Sequence, residues 1–381
     1  MAKKAYIGVD GKARKVKKMY IGVDGVARKI KKAYIGVGGV ARPCFTGGEL
    51  AYYGEAEILG MPRTNPAATT VGNRALFGGG GKLTYVYSTV DVYDESLTWD
   101  FESLSEARRN LAATTVRNYA LFGGGETASV EVATVDAFDS SLTKNKPTAL
   151  SEARSNLAAT TVGGYALFGG GIADSGISDV VDAYDGSLTR TTPAALSTKT
   201  AGLSATAVGD YAVFAGGIYS GALNVVNAYN TSLTRTTPTT LSTTRQNLAA
   251  TTVGNYALFA GGDDSNSTYR NTVNAYNASL TRTTPTALSV KRASLAATTI
   301  GDYALFAGGQ TAYQKYTAVV NVYDASLTRT TATKLSRARY LIGAATVGNF
   351  ALFAGGSDYN AQSSSSVDSA HVSTVDTYTV Q

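Results

Sequence analysis

The chain has 381 residues, of which 44% are hydrophobic and 16% charged, and its formal net charge is +6. A single cysteine and a single histidine exclude an intrachain disulfide and a zinc site built from several Cys and His ligands. No apolar run reaches the ~20 residues that span a membrane, and the N-terminus lacks the apolar core of a signal peptide. We therefore expect neither membrane insertion nor export by the general secretory route.

Charge is divided unevenly along the chain. Residues 1–43 hold twelve Lys/Arg and two Asp, a balance of +10, so the rest carries 22 Lys/Arg and 26 Asp/Glu, a balance of −4. Such a charge split between segments indicates two separate roles.

Residues 1–43 contain a repeat with a period of 14, seen in Tyr6–Gly11, Tyr20–Gly25 and Tyr34–Gly39. Each unit ends in Asp-Gly or Gly-Gly, dipeptides typical of the tight type I′ turn of a β-hairpin. The segment is predicted to be a basic β-hairpin repeat with too few large apolar side chains to form its own core. We interpret it as an attachment or self-assembly segment. A flexible solubilising tail remains an alternative, and nucleic-acid binding through Lys and Arg is the less favoured one.

Residues 49–381 contain a longer repeat, anchored by a phenylalanine every 45 to 47 residues. Seven copies of one unit indicate a repeat domain that shares a continuous core. The anchors are Phe77, Phe122, Phe168, Phe214, Phe259, Phe306 and Phe353.

Each copy of the longer repeat reads as four short β-segments. The third copy begins Ala-Ala-Thr-Thr-Val, turns through two glycines, and continues Tyr-Ala-Leu-Phe to a run of glycines. A Val-Asp-Ala-Tyr-Asp segment and a Leu-Thr-Arg-Thr-Thr segment follow. Four antiparallel strands at this period predict an all-β, seven-bladed β-propeller with small residues on the innermost strand of each blade.

The last copy stops before a fourth segment, whereas an extra segment, residues 50–59, precedes the first copy. We predict that this N-terminal segment pairs with residues 375–380 and closes the ring.

The longer repeat resembles the kelch repeat in three features: Phe-Ala-Gly-Gly, Val-Asp-x-Tyr-Asp and the arginine before the first segment. The tryptophan that kelch repeats carry on the fourth strand occurs here only as Trp99. The resemblance implies a propeller fold but no particular activity, because kelch propellers host many functions. The basic head followed by such a propeller also resembles tail-associated structural proteins of prophages in Gram-positive bacteria. That resemblance implies a virion or phage-tail-like particle assembled in the bacterial cytoplasm.

The loops after the second segment differ in every copy, while the framework around them is nearly constant. Variation on one face of a rigid scaffold is typical of a binding surface, although surface loops can also drift freely. Tyrosine supplies contact area for sugars or peptides, so we expect a host-surface glycan or protein to bind here. The candidate ligand-binding residues are Tyr85, Tyr87, Tyr219, Tyr269, Tyr313, Tyr316 and Tyr359.

A basic residue precedes the first segment of every copy, and closure would arrange these residues as a ring. They could form an anion site or make a repeated structural hydrogen bond, and their recurrence in every copy favours the second role. The basic ring is Arg63, Arg108, Arg154, Lys199, Arg245, Arg292 and Arg339.

No nucleophile-elbow or phosphate-binding motif is present, and one histidine cannot supply the histidine ligands of a copper oxidase. A glycosidase that uses only carboxylates stays open as an alternative, but no Asp or Glu departs from the repeat pattern in a way that marks a catalytic pair. We predict a non-enzymatic module without catalytic residues, metal or cofactor. The leading hypothesis is a phage-tail-like component that displays a propeller for host recognition. The alternative is a cytoplasmic kelch adaptor for protein–protein interaction.

Overall fold

The computed structural model describes residues 49–358 and 371–380 with their side chains, and the strands between Tyr6 and Thr46 as backbone. The chain divides into two compact units, one of Met1–Ala51 with Thr379–Gln381 and one of Tyr52–Tyr378. Every regular element in the described residues is a β-strand.

The first unit contains three two-stranded antiparallel sheets. In each hairpin the register leaves two residues between the strands, the loop length expected from the 14-residue repeat. Its strands are Tyr6–Val9, Lys12–Lys15, Met19–Val23, Val26–Ile30, Lys32–Val37 and Val40–Thr46.

The second unit is built from seven four-stranded antiparallel sheets, the blades, in the described part of the chain. Blades 1 to 7 have first strands Ala67–Val71, Ala112–Val116, Ala158–Val162, Ser204–Val208, Ala249–Val253, Ala296–Ile300 and Gly343–Val347. The second strands are Arg74–Gly78, Tyr119–Gly123, Tyr165–Gly169, Tyr211–Ala215, Tyr256–Ala260, Tyr303–Ala307 and Phe350–Ala354. The third strands are Thr89–Asp94, Val135–Asp139, Val181–Tyr184, Val226–Asn230, Val273–Asn277, Val320–Asp324 and Val375–Val380. The fourth strands are Trp99–Ser103, Lys144–Asn145, Arg190–Thr191, Arg235–Thr236, Arg282–Thr283 and Arg329–Ala332 in blades 1 to 6 and Leu50–Glu55 in blade 7.

Three of the loops between second and third strands carry a small hairpin of their own. The pairs are Gly81–Lys82 with Tyr85–Val86, Ile172–Ala173 with Gly176–Ile177, and Gln310–Ala312 with Lys315–Tyr316.

The seven first strands form a closed ring, because each contacts the first strands of both neighbouring blades and blade 7 contacts blade 1. The seven-bladed β-propeller predicted from the repeat is therefore confirmed. Small residues occupy these strands because the blades converge there, as in Ala158 and Ala159.

Threonine hydroxyls join adjacent first strands around the axis. A threonine in the middle of one strand meets a threonine of the next blade at 2.7 to 2.9 Å, as Thr114 meets Thr161. The second hydroxyl also donates to a carbonyl of the preceding blade, as Thr161 donates to Thr115 at 2.6 Å. Two junctions lack the hydroxyl pair, where Ala207 and Ala345 replace threonine. The polar groups nearest the axis thus satisfy one another.

Aromatic side chains fill the space between blades, which diverge outward. Within each blade the second-strand phenylalanine meets the third-strand aromatic ring edge to face, with centroids 5.8 to 6.0 Å apart. The tyrosine hydroxyl then donates to a carbonyl beyond the fourth strand of the preceding blade, as Tyr184 donates to Thr148 at 2.8 Å. Six blades share this bond, whereas blade 2 has Phe138 and lacks it.

The ring closes through the N-terminal strand of the propeller. Leu50–Glu55 lies beside Val375–Val380 and completes the four-stranded sheet of blade 7. The hydroxyl of Tyr52 donates to a carboxylate oxygen of Asp376 at 2.8 Å, across 324 residues of sequence. The predicted closure is confirmed, and it joins the two ends of the domain in one sheet.

Removing the closing strand should destabilise the whole ring. We predict that a chain starting at Pro62, which keeps Arg63 but lacks Leu50–Glu55, has a Tm lower by about 10 °C or more, because the edge of Val375–Val380 loses its backbone partner. A chain starting at Gly48 is the matched control and should unfold within a few degrees of the full chain. Equal midpoints of the two truncated chains in calorimetry would contradict the role of the closing strand.

Candidate functional site

Two sets of loops share one face of the propeller, which we call the loop face. The segment before each first strand forms an antiparallel bridge with the start of the loop after the second strand of the same blade. The bridges are Thr64–Gly81, Arg109–Glu126, Ser155–Ile172, Ala201–Ile218, Gln246–Asp263, Ala293–Gln310 and Tyr340–Ser357. The variable loops therefore stand on a framework that repeats in all seven blades.

Six of the seven basic-ring residues lie inside the protein. The six arginines are fully buried, and each donates from Nη2 to the carbonyl of the phenylalanine 14 residues later, at 2.9 to 3.2 Å. Their guanidinium groups point at the second strand of their own blade and have no surface open to a solute. This is the repeated hydrogen bond that the sequence analysis weighed against an anion site.

The same guanidinium groups contact the third strand. In four blades the contact is a buried ion pair with aspartate, which includes Arg154 with Asp182 at 2.5 Å and Arg339 with Asp376 at 2.7 Å. The side chain of the third-strand residue also accepts a hydrogen bond from a backbone N–H in the loop before the arginine, as Asp182 accepts from Ser151 at 3.1 Å. Each such cluster ties two strands and one loop together.

Blades 5 and 6 carry the arginine without a carboxylate. Arg245 donates to the amide oxygen of Asn274 at 2.8 Å, and Arg292 donates to that of Asn321 at 3.0 Å. Burial lowers the pKa of both arginines to about 10. These two guanidinium groups are buried positive charges that only neutral oxygens solvate.

Lys199 is not equivalent to the six arginines. The position 14 residues before Phe214 is Thr200, which is buried and donates to the carbonyl of Gly216 at 3.1 Å, whereas Lys199 is exposed. The sequence alignment of the basic ring was therefore wrong by one residue in blade 4. The third-strand Asn227 of that blade instead receives a hydrogen bond from Arg235 of the fourth strand at 3.3 Å.

A ring of residues with left-handed backbone surrounds the axis at the loop face, two positions after each of the six buried arginines and after Thr200 in blade 4. Their φ values lie between 50° and 61°. The N–H of six of them donates to the carbonyl of the equivalent residue in the preceding blade, at 2.8 to 3.2 Å. At the seventh junction the amide Nδ2 of Asn65 donates to Oδ1 of Asn110 at 3.0 Å. The members of this axial ring are Asn65, Asn110, Asn156, Gly202, Asn247, Ser294 and Leu341.

The axial ring surrounds a cavity of about 250 Å³. Its apolar wall consists of branched side chains that follow the ring residues, each 6 to 9% exposed: Leu111, Leu157, Leu203, Leu248, Leu295 and Ile342. A second cavity of about 390 Å³ is lined mainly by the threonines of the first strands. The first cavity combines apolar contact with asparagine side chains, whereas the hydroxyl groups of the second bond to one another.

The predicted ligand-binding tyrosines occupy different environments. Tyr85, Tyr219 and Tyr313 are 69%, 52% and 81% exposed. Tyr87, Tyr269 and Tyr316 are half-buried. Tyr359 lies outside the described residues.

Three successive blades bring tyrosines together on the loop face. Tyr316 stacks on Tyr340, with ring centroids 4.6 Å apart and planes 3° from parallel. Burial raises the pKa of Tyr316, and so do the neighbouring phenol of Tyr340 and a hydrogen bond with it. Sequence reasoning missed Tyr340 because it sits beside Arg339 rather than in a variable loop. The signal was an aromatic residue where the other six copies carry threonine, arginine, serine, alanine or glutamine.

In the described part of the chain, no group of three or more His, Cys, Asp or Glu side chains is placed to hold a metal ion. Over the same residues, no helix has the length and apolarity required to cross a membrane.

Comparison with known proteins identifies the fold and no further relationship. No family model matches the chain, and no curated protein matches it. The solved structure of YjhT is similar, with a TM-score of 0.57 at 12% sequence identity. The match covers 73% of this chain and 99% of YjhT. At that identity the likeness supports the propeller architecture alone.

Blades 5 and 6 have asparagine where four other blades have the aspartate that pairs with the buried arginine, and this difference leads to a prediction about stability. Asn274→Asp should raise the free energy of unfolding by about 1 kcal/mol, because a carboxylate solvates a buried guanidinium better than an amide oxygen does. The reverse change, Asp182→Asn, should lower it by about 2 kcal/mol because Arg154 loses its counter-ion. Thermal and chemical unfolding at pH 7 measure both changes.

The control for added charge is Asn277→Asp at the end of the same third strand. Its side-chain oxygen accepts from the N–H groups of Ser279 and Thr281, and Asp324 occupies the equivalent turn position of blade 6. This change should leave stability within about 0.5 kcal/mol. An Asn274→Asp variant that is no more stable than the parent would contradict the need for a counter-ion.

Proposed function

We propose that this chain is a non-enzymatic binding module that recognises a host-surface ligand, a glycan in our leading interpretation, through the loop face of its propeller. The proposal rests on one contrast: polar residues that repeat between blades bond inside the protein, whereas residues that vary between blades lie on the loop face. The buried arginines and the axial threonines repeat between blades, and their polar groups bond to neighbouring strands and blades. The residues that vary between blades lie on loops that this framework holds at one face.

Exposed aromatic residues strengthen the proposal. The loop face presents Tyr85, Tyr219 and Tyr313 with more than half of each side chain exposed. Burying such rings against a ligand releases water from apolar surface, and their hydroxyls can bond to polar ligands. Exposed tyrosines on the same face as a cavity lined by asparagine side chains are suited to a hydroxyl-rich polymer.

The proposed setting is a virion or phage-tail-like particle, with the basic segment 1–43 as the attachment or assembly module. Three small hairpins with a balance of +10 have little apolar surface of their own to bury, so we expect their order to depend on a particle component or on further copies. The kelch-like motifs fit this arrangement because they build the scaffold and leave the loops free to vary.

A cytoplasmic kelch adaptor is the second candidate. One observation favours it: the outer edge of blades 7 and 1 exposes apolar side chains, which include Tyr53 at 58%, Ile58 at 55% and Phe101 at 56%. An apolar rim of this kind suits a protein partner rather than a glycan.

Loss of the exposed loop-face tyrosines should weaken cell binding at least tenfold without unfolding the protein. We expect the triple variant Tyr85→Ser, Tyr219→Ser, Tyr313→Ser to bind at least tenfold more weakly to a panel of Gram-positive cells and their purified cell walls, because three aromatic contacts are removed. Fluorescence of the labelled protein on sedimented cells measures the change.

The matched control removes exposed aromatic residues from the rim instead, with Tyr53→Ser and Phe101→Ser. Cell binding that falls with the rim variant and survives in the loop-face variant would contradict the proposal and favour the adaptor. Absence of binding to every strain in the panel would also count against it.

Removing residues 1–43 should separate assembly from recognition. We expect the shortened chain to be a soluble monomer in light scattering and to keep its cell binding, because the loop face is intact. A full-length chain that is already monomeric, alone and with candidate tail proteins, would contradict an assembly role for the basic segment.

A further inference from the structure

The residues that line the axial cavity at the loop face limit the charge and size of the ligand that it can bind. None of the described residues that line it is ionisable. A charged ligand would lose its hydration there without gaining a counter-ion, so the cavity selects a neutral one. Its volume of about 250 Å³ is suited to one small ring and its substituents.

The polar side chains of the cavity are four asparagine amides and the hydroxyl of Ser294. Asn65 and Asn247 donate their Nδ2 hydrogens to neighbouring residues at 3.0 Å, to Asn110 and Asp263. Within the described structure, the side-chain oxygens of Asn65, Asn156 and Asn247 accept no hydrogen bond. Asn156 also keeps its donor largely available, since its one contact, to the neighbouring serine hydroxyl, is 3.4 Å long. The cavity therefore offers acceptors at its rim and one weakly engaged amide donor.

The cavity wall offers the complementary apolar contact. Six leucine and isoleucine side chains surround the axis behind the amides, and each retains a small exposed area. A ligand that places a methyl group against this wall and polar groups at the rim satisfies both surfaces, because buried polar groups require partners and apolar area favours contact.

We propose that the axial cavity is a subsite for a neutral acetamido sugar, an N-acetylhexosamine at the end of a glycan chain. Its acetamido N–H donates to an asparagine Oδ1 of the rim, its carbonyl accepts from Nδ2 of Asn156, and its methyl group packs on the leucine wall. The exposed tyrosines of the loop face then contact the following sugars of the chain. This inference rests on the proposed glycan-binding function and names the class of sugar at its centre.

Calorimetric titration of the full chain with two matched trisaccharides tests the sugar class. Triacetylchitotriose and cellotriose share a β-1,4-linked glucose backbone and differ in the acetamido group. We expect saturable binding of triacetylchitotriose and binding of cellotriose that is at least tenfold weaker. Equal affinities, or no binding of triacetylchitotriose, would overturn the inference.

Two cavity variants test the location. Asn156→Leu and Asn247→Leu remove an amide and fill part of the cavity, and the backbone tolerates leucine there because Leu341 has the same left-handed conformation at φ 56°. Each should weaken triacetylchitotriose binding at least tenfold. The control Asn255→Leu, exposed in a turn between a first and a second strand, should leave it unchanged. Unchanged binding by both cavity variants, with folding verified by thermal unfolding, would overturn the inference.

Failure here can be separated from failure of the proposed function. Wild-type protein that binds cell walls through its tyrosines but ignores triacetylchitotriose would retain the binding function and reject the acetamido subsite. Protein that binds triacetylchitotriose in the cavity but binds no cell wall would retain the acetamido subsite and reject recognition of the host surface.

Discussion

The structure depends on one repeated cluster, in which a buried guanidinium joins a second-strand carbonyl to a third-strand side chain. Arg154 and Asp182 show the arrangement most fully, because the aspartate also accepts from the N–H of Ser151 in the loop before the arginine. A buried charge is costly unless it is paired and hydrogen-bonded, so the cluster forms only when two strands and a loop are in register. In six blades this cluster fixes the loop before the first strand against the second and third strands.

Blade 4 shows how far the constraint can be relaxed. Thr200 replaces the buried arginine with a neutral hydroxyl, and Asn227 replaces the aspartate and accepts from Arg235 of the fourth strand, so the buried arginine and its counter-ion are absent together. Blades 5 and 6 are the intermediate case, with a buried charge and a neutral acceptor. The fold tolerates these exchanges because neighbouring blades are also joined by threonine hydroxyls, tyrosine hydroxyls and edge-to-face aromatic rings. Stability is thus distributed over many equivalent junctions, as expected for a repeat protein.

The framework also explains why we assign the proposed ligand recognition to one face. Polar side chains that recur in every blade already have partners inside the protein, so they cannot recognise a ligand. The groups left for recognition are the loop tyrosines and the amides of the axial ring, such as Asn156. The amides line the axial cavity, and the tyrosines lie on the loops of the same face.

Much of the architecture was determined by the sequence itself. The spacing of the phenylalanine anchors specified seven blades, and the extra segment before the first copy identified Leu50–Glu55 as the closing strand. Both features can be read along the chain. In blades 1 to 6 each strand pairs with strands of its own copy, and the last copy has no fourth segment, which indicates that it pairs with the extra N-terminal one. The tertiary structure alone decided which side chains meet across blades. Tyr340 stacks on Tyr316, Thr200 rather than Lys199 takes the arginine position, and four asparagines of separate copies line one cavity. The tyrosine stack and the shared cavity depend on the radius and register of the closed ring, which bring together residues of separate copies.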